Sequence, residues 1–210
     1  MATPKSQRIG IWIIAIVLMI GTLGSFLAMI IGTQNQTSDN ANIQKEISAY
    51  QLASSSQTKS LSDKYYSEFN KYATIPAAFE ADGIKTLSKK DLKVGDGAEI
   101  TSSTSYNAYY LGWNPKGFVF DQSIKNGALI APLAGGNMIT GWNEGVIGMK
   151  LGGIRELTIP SDKAYGATGS GDNIPPNTPL KFIVMAIPKV ADIPMSAALL
   201  EYVQSQQSAS

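Results

Sequence analysis

The chain is expected to fold as an α+β protein: an antiparallel β half-barrel wrapped on one short helix, preceded by a transmembrane helix and a helical stalk. Three observations predict this. An uncharged apolar run opens the sequence, a polar segment with helical spacing follows, and from residue 82 the apolar period changes from helical to strand-like.

Ile9 to Ile31, IGIWIIAIVLMIGTLGSFLAMII, is 23 residues without a charge. As a helix it would rise roughly 34 Å, enough for a hydrocarbon core of about 30 Å. Lys5, Arg8 and the amino terminus precede it, whereas Thr33 to Gln44 hold only Asp39. The positive-inside bias then puts residues 1–8 in the cytoplasm and everything after residue 32 outside. A cleaved secretory signal is the rival reading, but its apolar core would be unusually long and no A-x-A site follows. The expectation is an uncleaved single-pass membrane anchor over 9–31.

Residues 32–81 are rich in Ser, Gln and Asn. Leu61, Tyr65, Phe69 and Tyr72 fall at i, i+4, i+8 and i+11, one face of a helix, and Ile43, Ile47 and Tyr50 make a weaker stripe. Ser54-Ser55-Ser56 is expected to interrupt or weaken the helix between them. The segment reads as a solvated stalk, with a helix docked on the domain or a partner as the alternative.

The domain proper is expected over 82–190. Ile100 to Gly112 is a β-rich run, and Asn114-Pro115-Lys116-Gly117 is a turn signature, with proline fixing φ and glycine free to take φ > 0. Phe118-Val119-Phe120 reads as the returning strand and Gly127 to Leu133 as another short one. Gly141 to Met149 is a short helix with Trp142, Val146 and Met149 inward. Gly153 to Ile159 and Leu180 to Ile187 complete the sheet. In the tail, 191–210, Met195 to Val203 suggests two helical turns before a disordered Gln/Ser end.

Composition removes most function classes. The 210 residues are 16% charged with a net charge of +1, so no basic face for nucleic acid is implied. There is no His and no Cys. That excludes Ser-His and Cys-His nucleophile pairs, His- or Cys-based metal sites, thiol redox chemistry, disulfides and lipid attachment through cysteine. No metal and no cofactor is expected. Gly166-Ala-Thr-Gly-Ser-Gly171 superficially suggests a phosphate loop, but no Gly-Lys-[Ser/Thr] follows and no helix begins there. Glu144 and Glu156 read as structural or solvated acids rather than an acid–base pair.

The stretch Gly141 to Pro188, GWNEGVIGMKLGGIRELTIPSDKAYGATGSGDNIPPNTPLKFIVMAIP, lacks any strong acid, base or nucleophile in a reactive setting and offers aromatic and aliphatic surface instead. Its G-W-x-E-G-V, A-Y-G-A and I-P-P-N-x-x-L motifs, in this order and spacing, resemble the FKBP-type peptidyl-prolyl cis-trans isomerases. Tyr110 to Asp121, YLGWNPKGFVFD, resembles that family's Y-x-G … G-x-x-F-D strand pair. The similarity covers roughly residues 82–190.

The resemblance implies catalysis of rotation about X-Pro amides in proline-containing polypeptides, here in proteins folding outside the cytoplasmic membrane. It places Trp142 as the pocket floor and Tyr110, Phe120, Met138, Ile139 and Phe182 as walls, with Ile174 on the loop. Tyr165 would direct its hydroxyl at a substrate carbonyl, with Asp121 at the rim. Leu129 is counted with these substrate-binding residues and stands where the family usually has an aromatic on the strand before the helix. Ser170 and Asn173 are more polar than the family's usual loop residues, and the bulge after Asp121 is about a residue shorter and holds Lys125. Each departure opens or polarises the pocket and lowers the expected affinity for large macrolides. The alternative function is a non-catalytic, membrane-anchored binding or chaperone module using the same hollow. The sequence does not fix an oligomeric state.

Overall fold

The computed structural model describes residues 39–136 and 138–208. The described residues divide into two compact units, one holding 39–50 and 195–208, the other 51–136 and 138–194. The 9–31 run expected to cross a membrane lies outside the described residues. Among those described, no helix is long and apolar enough to cross a membrane.

Helix α1 runs Asp39–Phe69 without a break. The serines at 54–56 do not interrupt it, because a serine costs an exposed helix only about half a kcal/mol. The Ser55 hydroxyl is satisfied locally, donating to the Leu52 carbonyl at 3.0 Å.

The larger unit is built on antiparallel strands β1 (Ser88–Lys93), β2 (Tyr106–Trp113), β3 (Val119–Gln122), β4 (Ile124–Lys125), β5 (Ala128–Leu129), β6 (Leu133–Ala134), β7 (Ile154–Ile159) and β8 (Leu180–Pro188). Their order is β1-β7-β8-β2-β3, with β6 also on β2 and with β4-β5 a separate two-stranded pair. Helix α2 (Thr140–Val146) precedes β7.

Alternation along β2 and β8 divides the side chains between two apolar layers. Tyr106, Ala108, Phe182, Val184 and Ala186 join Trp142, Val146, Met149, Leu157 and Ile159 on the α2 side. Tyr109, Leu111, Trp113, Ile183, Met185 and Ile187 face the other way, onto Phe69, with Tyr65, Tyr66 and Tyr72 packed against them. The face that an antiparallel sheet often leaves to water is thus covered by the second half of α1. Ser62, 7% exposed, is also drawn in and accepts a 2.9 Å bond from the Leu129 N–H.

One strand went unnamed in the sequence, and two expectations are corrected. β1, SKKDLK, has no apolar alternation because it is a charged edge strand, four of its first five residues exposed. It is held by its ladder to β7 and by Asp91, which takes a two-pronged pair from Arg155 at 2.6 and 3.1 Å. Charge on such an edge discourages pairing with another chain. Gly127 to Leu133 is not one strand: Asn126 and Gly127, at φ 50° and 73°, turn β4 into β5, and the chain then crosses Pro132 to β6. The Gln/Ser tail is helical, α3 running Ala197–Ser208, and Ser196 caps it by accepting from the Leu199 N–H at 3.0 Å.

Helix α2 reaches the sheet through its glycines. A Cβ at Gly141 would stand 2.3 Å from Ile159 Cγ2, and one at Gly145 would stand 2.7 Å from both Leu157 methyls. These two positions, four apart, let the helix backbone lie directly on β7. Its last carbonyls are taken up by the buried Arg155 guanidinium, which donates to Gly145 and Ile147 at 2.9 and 3.1 Å. Gly141→Ala therefore tests packing against propensity. In an exposed helix the change gains about 1 kcal/mol, whereas overpacking here should cost about 1–3 kcal/mol. A lowered denaturation midpoint is the expected result; a raised one would mean α2 can lift from the sheet freely.

Candidate functional site

Four aromatic rings meet where β2, β3, β8 and α2 converge. Trp142 packs edge-on against Tyr110 and Phe182, with centroids 5.6 and 5.4 Å apart, and Phe182 meets Phe120 in the same way at 5.6 Å. Such perpendicular contacts favour a fixed arrangement beyond simple burial. The strand makes room for it at Gly112, where a Cβ would lie 2.6 Å from the Phe182 ring and 2.8 Å from the Phe120 ring. Glycine is required there by the space two phenylalanines occupy.

The indole N–H of Trp142 donates to the Tyr106 hydroxyl at 3.2 Å, deep in the layer. Burial pushes the Tyr106 phenol above its ordinary pKa, and the indole bond partly opposes that. Trp142 is fully buried and Phe182 is 4% exposed. The half-exposed surface is supplied by Tyr110, Phe120, Met138 and Ile139, all packed on the same layer, and Ile174 is buried within it.

Three oxygens border this surface. The Tyr110 hydroxyl donates a short hydrogen bond to the Asp121 carboxylate across the β2–β3 pair. Burial first, and then the negative charge of Asp121, holds the Tyr110 phenol far above its usual pKa. Tyr165, 37% exposed, is pushed up too, by the water lost from its packed side and then by Asp121. Tyr110 alone bonds the carboxylate, while Tyr165 feels its charge, and both phenols stay protonated through neutral and mildly alkaline conditions.

Tyr165 is carried by the connection from β7 to β8. A 3₁₀ turn over Ser161–Lys163 starts it, and the Gly166 N–H returns to the Ser161 carbonyl at 2.8 Å. Lys163 pairs with Glu144 on α2, which ties the loop to the helix. Glu144 is thus structural, as is Glu156, whose partner is Lys181 at 3.2 Å on the neighbouring strand.

Of the residues singled out in the sequence, Tyr110, Phe120, Met138, Ile139, Trp142, Ile174 and Phe182 share one apolar layer. Asp121 accepts from the Tyr110 hydroxyl beside this layer, and its negative charge raises the Tyr165 phenol. Leu129 does not join them: it is 2% exposed in the opposite layer with Tyr109 and Ile183, because the Asn126-Gly127 turn and the Ser62 bond to its amide carry it to the α1 side. Sequence reasoning missed Tyr106, whose hydroxyl takes the indole N–H. It also missed Ser123, 1% exposed, whose Oγ accepts from the Tyr110 N–H at 2.9 Å and fixes that ring's strand position. Tyr106 lay within a recognised β run but was given no role, and a buried serine leaves no periodic signal.

Comparison with known proteins identifies the family. Residues 96–187 match the family described as FKBP-type peptidyl-prolyl cis-trans isomerase. The chain is 44% identical over 96 residues to an FK506-binding protein of Neisseria meningitidis serogroup A, covering 45% of this chain and 88% of that one. It is 40% identical over 98 residues to FK506-binding protein 4 of Dictyostelium discoideum, covering 47% of this chain and 27% of the other. A solved peptidyl-prolyl cis-trans isomerase of Pseudomonas syringae pv. tomato is 28% identical, with 74% of this chain and 97% of that chain covered and a TM-score of 0.43. On the extent of the Neisseria match, with the motifs in family order, the chain belongs to the FKBP-type peptidyl-prolyl cis-trans isomerase family.

Proposed function

We propose that the half-exposed surface of Tyr110, Phe120, Met138 and Ile139, lying over Trp142, seats the proline ring of an X-Pro segment. In this reading Tyr165 donates to the carbonyl of the twisting amide. The observation that carries it is the pairing of a preorganised aromatic surface with a phenol kept protonated at its edge. An X-Pro bond rotates over a barrier of about 18–20 kcal/mol because the planar amide is resonance-stabilised. The twisted amide has less charge separation than the planar one, so a dry apolar surface favours it. No proton needs to move. Asp121 orients Tyr110 and raises both phenols.

The reading extends to location. The uncharged 23-residue run with basic residues only on its amino-terminal side supports a single-pass anchor, with the isomerase outside the cytoplasmic membrane acting on proteins that fold there. Protease added to intact spheroplasts should then digest the domain, and a mature N-terminus near residue 30 would remove the anchor.

Isomerisation of a proline peptide by the full chain tests the chemistry. Wild type should accelerate it. Tyr165→Phe should keep stability within roughly 1 kcal/mol, since one hydroxyl is lost, yet slow the reaction. An unchanged rate would remove the tyrosine from the mechanism. Trp142→Ala should cost about 3–5 kcal/mol of stability as well as activity, from the cavity a buried indole leaves.

The tyrosines also set an alkaline limit. Tyr106, Tyr110 and Tyr165 all have phenols raised in the fold. A raised pKa means their contribution is fully present below about pH 10, the unfolded value, and is lost as pH climbs through the folded values. Unfolding midpoints should be insensitive to these groups from pH 7 to 9 and fall above pH 10. Replacing Tyr110 with Phe should shrink that fall, and an unchanged alkaline fall would assign it to other groups.

A further inference from the structure

Asn114 stands at the end of β2 and is 6% exposed. A buried amide demands partners, and this one uses both of its ends. Its Oδ1 accepts from the backbone N–H groups of Lys116 and Phe118, at 3.0 and 3.2 Å, which closes the turn toward β3. Its Nδ2 donates at 2.9 Å to the carbonyl of Asn173, 59 residues further along.

That third bond reaches the loop that carries Tyr165. The loop has its own backbone bonds: Gly169 N–H to the Tyr165 carbonyl at 3.2 Å, Ser170 to Ile174 at 2.7 Å, and Asn177 to Gly166 at 2.8 Å. All run from loop to loop, so they give it a shape without fixing it to the sheet. The Lys163–Glu144 pair holds its first limb, but both partners are substantially exposed, and such pairs hold weakly. Asn114 supplies a buried tether to the second limb, next to Ile174, which is 5% exposed in the aromatic layer. The turn is itself braced from outside. Trp113 Nε1 donates to the Ala77 carbonyl at 3.2 Å, and the Phe79 N–H donates to Pro115 at 3.0 Å. Gly117, at φ 79°, leaves room for that strand of chain, since a Cβ would stand 2.9 Å from the Ala78 nitrogen.

We propose that Asn114 is a positioning residue for prolyl isomerisation, clamping the Tyr165 loop over the substrate surface. Residues 77–79, outside the family match at 96–187, brace the clamp. The proposal rests on the reading of Tyr165 as the donor to the substrate carbonyl. Its chemistry separates turn from tether. Aspartate at 114 still accepts from Lys116 and Phe118 but offers only oxygen to the Asn173 carbonyl. Serine can close the same turn through its hydroxyl and is too short to reach Asn173.

The test is peptide isomerisation and amide hydrogen exchange on the full chain, comparing wild type with Asn114→Asp and Asn114→Ser. Both variants should lower kcat/KM roughly tenfold, about what one lost hydrogen bond is worth, chiefly through KM. Both should speed exchange at Ser170 and Asn177 while leaving Lys116, Phe118 and the β8 amides as in wild type. If one variant fails to fold, the other carries the test. Wild-type kcat/KM in a folded variant, or unchanged exchange in the loop, would overturn the clamp. A wild type that fails to accelerate isomerisation would overturn the reading of the site instead, a distinguishable result.

Discussion

Eight consecutive pairs join β2 to β8, from Tyr106 opposite Pro188 to Trp113 opposite Lys181, and this register fixes what every other element meets. Strand side chains alternate with period two, so a slip of one residue would exchange the two faces entirely. In the register adopted, Gly112 lies opposite Phe182 and opens space for the aromatic cluster, while Leu111 lies opposite Ile183 and feeds the layer under α1. The slip is penalised twice, because both faces are buried. Tyr109, Leu111 and Trp113 would be driven into the layer that Trp142, Val146, Met149 and Leu157 already fill.

The site that this register assembles is unusual in what it lacks. Beside its rings stand the Tyr110 and Tyr165 phenols and the Asp121 carboxylate, and burial first, then the Asp121 charge, raises both phenols. In the proposed reading the raised phenols serve as hydrogen-bond donors and no base is called on. The arrangement suits a reaction whose whole barrier is lost amide resonance, where a low-polarity surface and a steady hydrogen-bond donor suffice.

How much of this was legible follows the kind of signal each residue leaves. Trp142, Phe120, Phe182 and Tyr110 could be named because aromatics at strand and helix spacing, within motifs in fixed order, have few alternatives. Leu129 was misplaced because Asn126-Gly127, a strong hairpin signal, went unread between two short apolar runs. β1 carries no apolar alternation, since an edge strand is held by its ladder and one ion pair. The second apolar layer was present in plain view: Leu180 to Ile187 is almost unbroken in hydrophobicity, the mark of a strand covered on both sides. Read that way, the stripe Tyr65, Phe69, Tyr72 has an obvious destination. Asn114 and Arg155 could not be found by pattern, because their roles depend on carbonyls that only the fold brings near.

The two-sided sheet also changes what counts as the isomerase unit. The family match begins at residue 96, yet Phe69 is 1% exposed against Tyr109, and Tyr65 and Tyr72 pack on the same layer. Cutting the chain at the match would expose Tyr109, Leu111, Ile183 and Met185 together. That is an apolar patch on the back of the very strands that hold Tyr110 and Phe182. At about 1.5–3 kcal/mol for each buried apolar side chain, four of them are worth roughly 6–12 kcal/mol, comparable to the whole net stability of a small domain. The helix before the domain is therefore part of what keeps β2 and β8 in register, and through them part of what keeps the aromatic site in shape.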